Sequence, residues 1–308
     1  MMKKIAIIAT IGLTLAFTAC KNSGQKAGDG KMYVVATTTM VYDLVKNIGG
    51  DRIESDGLMG TGVDPHLYKA SESDVSKLSQ ADMIFYNGLH LEGKLVDVFE
   101  KMSRLGKNIY AVADTVKEEN LIPSAEYASS FDPHLWFNIN LWKKAAHCVA
   151  DKMSRHDAKN RDYYQKNLMD YISQMDSVHQ EVESMIQQVP EDKRILITAH
   201  DAFNYFGQAY GFEVIGLQGI STASEAGVKD VQNLADMIVK NKIGAIFIES
   251  SVPRRNIEAL QEAVKARGFE VKIGGELFSD ALGSPGTQEG TYTGMFMHNV
   301  KTIVKALK

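Results

Sequence analysis

Between residues 162 and 188 the chain contains neither glycine nor proline, and Tyr164, Leu168, Tyr171, Met175, Val182 and Ile186 are among apolar residues that recur close to a 3.6-residue period. This pattern predicts one helix about 40 Å long at ~1.5 Å per residue, with Pro190 ending it. A rod of that length in the middle of a 308-residue chain cannot serve as a flexible linker. Whatever precedes and follows it must pack against one stiff element, and its methionine and aromatic stripe is read as the surface for that packing rather than as a cofactor box.

On both sides of the rod, strand and helix patterns alternate. Short runs rich in β-branched and apolar residues fall at 33–36, 53–58, 83–86 and 109–112, then again at 195–198, 212–217, 245–248 and 269–273. A helical pattern through Val41, Leu44, Val45 and Ile48 stops at Gly49-Gly50, and Ser251 with Pro253 opens another. Strands spaced by helices imply parallel pairing through crossovers. The fold class expected is α/β, with two lobes, each a parallel sheet flanked by helices, bridged by one long rigid helix. The expected boundaries are 1–19 for a leader, 20–31 for a tether, 32–161 for the first lobe, 162–188 for the bridge and 189–308 for the second lobe.

The leader is read from Lys3 and Lys4, an apolar stretch from Ile5 to about Ala16, and small residues ahead of Cys20. Phe17-Thr18-Ala19-Cys20 resembles the bacterial lipobox, so Cys20 is the expected lipidation site and the chain is expected on the extracytoplasmic face of a bacterial membrane. Residues 21–31 are rich in Gly, Lys and Asn and read as a flexible tether. With Cys20 acylated, Cys148 is the only remaining cysteine, so an exported chain must be held by its core without an intramolecular disulfide. The formal charge of −4 gives no footprint for nucleic acid.

The chemistry is concentrated in a repeated tripeptide, Asp64-Pro65-His66 and Asp132-Pro133-His134, followed at comparable intervals by His200 and Asp280. Each candidate follows a predicted strand or enters a helix, which is where α/β proteins gather ligand groups from distant segments. Three imidazoles and a carboxylate suit a first-row divalent ion, whereas Ca²⁺ or Mg²⁺ calls for mostly oxygen donors. Taken singly, each residue also fits a turn or a cap. Two other patterns fail on inspection: 88–95 has Walker A spacing but places Leu95 where a hydroxyl is required, and Gly60-Thr61-Gly62 lacks the third glycine of a dinucleotide loop. His90 stands in a motif of its own, while His147, His156, His179 and His298 sit in or beside helical patterns with no partner at metal spacing.

The ordered set 63–68, 86–92, 131–138, 198–206, 217–226, 247–251 and 274–283 resembles the cluster A-I solute-binding lipoproteins of metal-importing ABC transporters, over essentially the whole chain from Met32 onward. The resemblance implies two α/β lobes bridged by a single helix, and no enzyme activity. It also implies one Zn²⁺ or Mn²⁺, with Fe²⁺ open, held between the lobes by His66, His134, His200 and Asp280. The implied partners are a membrane permease and its cytosolic ATPase, with the receptor a monomer. Manganese-specific members often carry Glu as the third ligand; His200 here moves the expectation toward zinc. The His-rich loop of many dedicated zinc binders is missing, since 118–131 contains no histidine. Asp64, Asp132 and Asp201 are candidates to orient the imidazoles. Two other readings are a zinc-dependent extracytoplasmic hydrolase, with Glu249 or Glu276 as base, and an adhesin whose metal is structural.

Overall fold

The structure, a computed structural model, describes residues 30–124 and 130–308. The leader, Cys20 and all but the end of the expected tether lie outside the described residues, as does part of the histidine-free stretch before Phe131. Met32–Lys308 forms one compact unit.

The first half runs β1 (Met32–Ala36), α1 (Thr39–Gly49), β2 (Ile53–Gly57), α2 (Glu72–Gln80), β3 (Met83–Tyr86), α3 (Val96–Arg104), β4 (Asn108–Ala111) and α4 (Ile139–His156). Its four strands form one sheet, in the order β2-β1-β3-β4, and every pairing is parallel. Val34, Val35, Ile84 and Phe85 have no exposed surface, because helices cover both faces of such a sheet and the strands read as continuous apolar runs. Helix starts follow local chemistry. Thr38 caps α1 through the Val41 amide, and Ser71 with Asp74 closes a capping box on α2.

The rod is α5, Arg161–Ile186, a single helix of 26 residues. It buries Tyr164, Leu168, Tyr171, Met175, Val182 and Ile186, one stripe along its length, and packs against α1 and α4. The second half follows as β5 (Ile195–His200), α6 (Asn204–Tyr210), β6 (Glu213–Gln218), α7 (Val228–Asn241), β7 (Ala245–Glu249), α8 (Arg255–Lys265), β8 (Lys272–Leu277) and α9 (Tyr292–Leu307). Here the pairing is parallel, as expected, but it divides into two ladders, β5-β6 and β7-β8. Strands β5 and β7 lie beside each other, and where they end the Glu249 side chain accepts from the His200 amide at 2.9 Å.

One apolar core runs through both halves: Leu44 of α1, Trp142 of α4, Met175 of α5, Phe206 of α6 and Phe296 of α9 belong to the same cluster. The second half keeps a further core of its own around Ile246 and Leu260. Asp43 of α1 marks the meeting point of three helices. Its carboxylate accepts from the Tyr171 hydroxyl of α5 and from the backbone of Tyr292 at the start of α9, and burial pushes it up to about 6. No helix among the described residues is long and apolar enough to cross a membrane.

The buried face of α5 therefore carries stability for both lobes. Met175→Ala should cost about 2–5 kcal/mol, as expected for a fully packed side chain, whereas Met169→Ala on the 61% exposed face should stay within about 0.5 kcal/mol; denaturant melts of the two variants test the pair.

Candidate metal centre

The donors come from four separate stretches. His66 lies in the loop after β2, His134 in the loop before α4, His200 is the last residue of β5, and Asp280 follows β8. All four are buried, and one ligand-competent atom from each lies within 4.8 Å of the others. The ring centroids of His66, His134 and His200 are 5.3 to 6.0 Å apart. Asp280 stands between two of them, with Oδ1 3.5 Å from His134 Nε2 and Oδ2 3.2 Å from His200 Nε2. Neither contact is aligned as a hydrogen bond, and both Asp280 oxygens and both Nε2 atoms are buried without a hydrogen-bond partner. Buried polar atoms without partners are costly in a folded protein. Here they converge on one point, which is the arrangement a bound cation would satisfy.

Around that point, outer partners fix two of the rings. Asp132 Oδ1 is 2.7 Å from His134 Nδ1 and also accepts from the His134 amide at 2.9 Å. Glu249 does the same for His200, with Oε2 2.5 Å from Nδ1 and Oε1 accepting from the amide. A carboxylate on Nδ1 turns Nε2 toward the cluster and raises its basicity as a ligand. Asp64 acts differently: it accepts from the backbone amide of His66 at 2.8 Å while its other oxygen takes the Thr222 hydroxyl at 2.5 Å.

Of the three aspartates expected to orient imidazoles, Asp132 meets a ring nitrogen of His134 and Asp64 the backbone of His66. Asp201 faces a cavity of about 720 Å³ shared with Gln218 and Glu225, and the carboxylate on His200 is Glu249. The sequence neighbour lost to the spatial one because β5 and β7 end side by side, so their last residues meet. The motif at 247–251 draws attention to Glu249 as a candidate base, but its place on His200 depends on β5 and β7 lying side by side.

The remaining patterns resolve as structural features. Glu92 fills the inside of the 88–95 turn, where its carboxylate accepts from Thr37 Oγ1 at 2.7 Å and from the amides of Asn87 and Gly88; an anion there leaves no room for a phosphate. Thr61, in the turn before His66, donates to the Gly283 carbonyl at 3.0 Å. His90 lines a separate cavity with Tyr86 and Phe99. His179 meets the Tyr210 hydroxyl at 2.9 Å and His298 the Glu276 carbonyl at 3.1 Å; neither these nor His147 and His156 join the cluster.

Burial and charge oppose each other at the donors. His66 is driven down to about 3, chiefly by burial. Burial presses the same way on His134, but Asp132 and Asp280 overcome it and carry the imidazole up to about 9. Glu249 and Asp280 likewise hold His200 well above its ordinary value. Burial would raise Asp280, yet His200 and His134 keep it well below the usual carboxylate range.

A family model described as "Zinc-uptake complex component A periplasmic" matches residues 34–306. The chain belongs to this family. The chain is 48% identical to the zinc-binding protein TroA of Treponema pallidum, an alignment covering 98% of this chain and 97% of that one. It is 45% identical to the manganese-binding lipoprotein MntA of Bacillus subtilis over the whole of both chains. The solved structure of the Treponema pallidum periplasmic zinc-binding protein superposes with a TM-score of 0.88, covering 90% of this chain and 99% of that one. The zinc-uptake family fold, two α/β lobes on one bridging helix, is thus the fold of this chain.

Two outcomes follow from the site of this family member. Asp132→Asn and Glu249→Gln should each weaken divalent-ion binding by about 10–100-fold, while Asp201→Asn should leave it unchanged; competition titrations against a chelator of known affinity distinguish them. Because His134 and His200 are held above their ordinary values, an ion must displace protons well above neutrality. Apparent affinity should rise by about tenfold or more per pH unit from pH 6 toward 9, higher than the window near 6.5 that an unperturbed histidine would set. Proton release on binding, followed in weakly buffered solution, checks this.

Proposed function

We propose that the chain is the extracytoplasmic receptor of a metal importer. It captures one divalent transition-metal ion as cargo through His66, His134, His200 and Asp280, takes zinc in preference to manganese or iron, and delivers the ion to a membrane permease driven by a cytosolic ATPase. The observation that carries the reading is the convergence of three buried imidazoles and one buried carboxylate from both halves of the chain. Family membership supports the transport role, as do relatives named as substrate-binding lipoproteins of metal ABC transporters, among them FimA of Streptococcus parasanguinis at 32% identity.

The preference for zinc rests on the donor set. Three nitrogens and one oxygen suit zinc, and the affinity order places Zn²⁺ above Mn²⁺ at such a site. Similar relatives carry either metal in their names, so the choice is a property of the donors in this chain and of metal supply. Anchoring through a lipid on Cys20, a tether to residue 31, lobes at 32–161 and 189–308, and a monomeric receptor complete the proposal.

A hydrolase would need a free base and an open position for water. Glu249 is engaged by the amide and ring of His200, and Glu276 projects from the exposed part of β8. The family is one of transport receptors, and the chain is not an enzyme. An adhesin with a structural metal predicts unfolding when the ion is removed.

Purified protein should bind one equivalent of Zn²⁺ more tightly than Mn²⁺ and remain folded after chelation. Alanine at His66, His134, His200 or Asp280 should each lower affinity by more than about 100-fold, beyond what loss of an outer partner causes. Wild-type affinity in any one variant would remove that residue from the site; collapse of the circular dichroism spectrum on chelation would favour the structural-metal reading instead.

A further inference from the structure

The segment that bears Asp280 belongs to the second half of the sequence, yet three side chains of the first half hold its backbone. Trp136 donates its indole N–H to the Ser279 carbonyl at 2.9 Å. Thr39 Oγ1 accepts from the Leu282 amide at 2.8 Å, and Thr61 Oγ1 donates to the Gly283 carbonyl. From its own lobe the segment takes a contact between the hydroxyls of Ser251 and Ser279 at 2.8 Å, the pairing of Phe278 with Asn299 and a bond from the Gly283 amide to the Glu289 carbonyl at 2.8 Å.

Trp136 does more than tether. It follows His134 by two residues and has no exposed surface. Its ring stands edge-on to the His134 imidazole, with centroids 5.2 Å apart at 70°. Its carbonyl accepts from the Tyr292 hydroxyl at 2.8 Å, which fixes the backbone behind it. An indole offers one donor and no acceptor, and the buried Trp136 satisfies its N–H at the Ser279 carbonyl. The same rigid side chain thus touches the ring of one donor and the residue next to another.

We propose that Trp136, seconded by Thr39, is the positioning residue of this site: it fixes the Asp280 carboxylate against His134 across the seam between the lobes, and thereby sets how long a captured ion stays. The proposal rests on the receptor reading for its consequence but not for its geometry. Losing the indole bond leaves the first half holding the segment only on the far side of Asp280, through Thr39 at Leu282 and Thr61 at Gly283, so the Ser279 side can drift with its own lobe and widen the His134–Asp280 spacing. The control is Trp142. Its ring lies 6.4 Å from that of Trp136 in the same core, its indole nitrogen has no partner, and it touches no donor in the site.

Two readouts test the proposal on the full chain. Transfer of Zn²⁺ from loaded protein to excess chelator, followed by stopped flow, should be accelerated about tenfold or more in Trp136→Phe, the scale of an outer-partner loss. It should be accelerated less in Thr39→Ala, and not at all in Trp142→Phe. Hydrogen exchange at residues 280–283 of the metal-free protein should be faster in Trp136→Phe and Thr39→Ala, and unchanged in Trp142→Phe. Wild-type behaviour of Trp136→Phe in both readouts would overturn the proposal, as would equal acceleration by Trp142→Phe, which would show general loosening of the core. If Trp136→Phe does not fold, unchanged release and exchange in Thr39→Ala overturns it. Failure of the wild-type protein to take up Zn²⁺ would overturn the receptor reading, and the exchange result would still decide the clamp.

Discussion

A carboxylate with 1% exposure, Asp280, sits between two imidazoles that are themselves held by carboxylates. Removing a charge from water is tolerated only when opposite charge and aligned groups replace the solvent. That single requirement organises the surroundings. Asp132 and Glu249 have to reach the far nitrogens of His134 and His200, the strands β5 and β7 have to end together, and the backbone around Asp280 has to be held in place. Without an ion the two imidazoles with raised values supply the positive charge; on the proposed reading a bound ion would take their place and the protons would leave, so that metal and protons would compete for the same buried negative charge.

The long helix makes such a competition possible at a seam. Because α1, α4 and α9 all pack against α5 and one apolar core joins both halves, the lobes cannot swing apart as domains on a loose linker do. A donor set divided between lobes would otherwise have to be assembled anew for each ion, at the cost of ordering several side chains. Here most of that ordering is done by folding. On the receptor reading, release would then come from small displacements of segments such as the one bearing Asp280 rather than from wide opening.

Much of this was legible in the sequence, for identifiable reasons. The rod was visible because an unbroken apolar period needs no tertiary knowledge, and β1, β3 and β7 stood out because buried parallel strands are continuously apolar; β8 runs Lys272–Leu277 rather than 269–273, because Gly274, Gly275 and Glu276 give it no apolar run to show. His66, His134, His200 and Asp280 were named from a repeated tripeptide and an ordered set of motifs, and the fold brings those four together. The split of the second sheet into two ladders was not legible, because hydrophobic runs do not encode which strands complete their hydrogen bonds. The partner of His200 was missed for a related reason. Asp201 is adjacent in sequence, but it lines the cavity beside Gln218, whereas Glu249, 49 positions away, ends the neighbouring strand.

On the proposed reading, selectivity among ions would follow from the same construction. Zn²⁺ has no geometric preference from its d electrons, and the affinity order alone favours it over Mn²⁺ at nitrogen donors. What a protein can add is resistance to rearrangement. His134 is locked from behind by Asp132 and from the side by Trp136, His200 is locked by Glu249, and Asp280 is pinned through Ser279. An ion that demands more oxygen donors or a wider shell would have to break one of these bonds to enter. Asp64 holds the His66 backbone amide while gripping Thr222, which ties the loop after β2 to the segment after β6 and keeps the third imidazole from shifting without its neighbour.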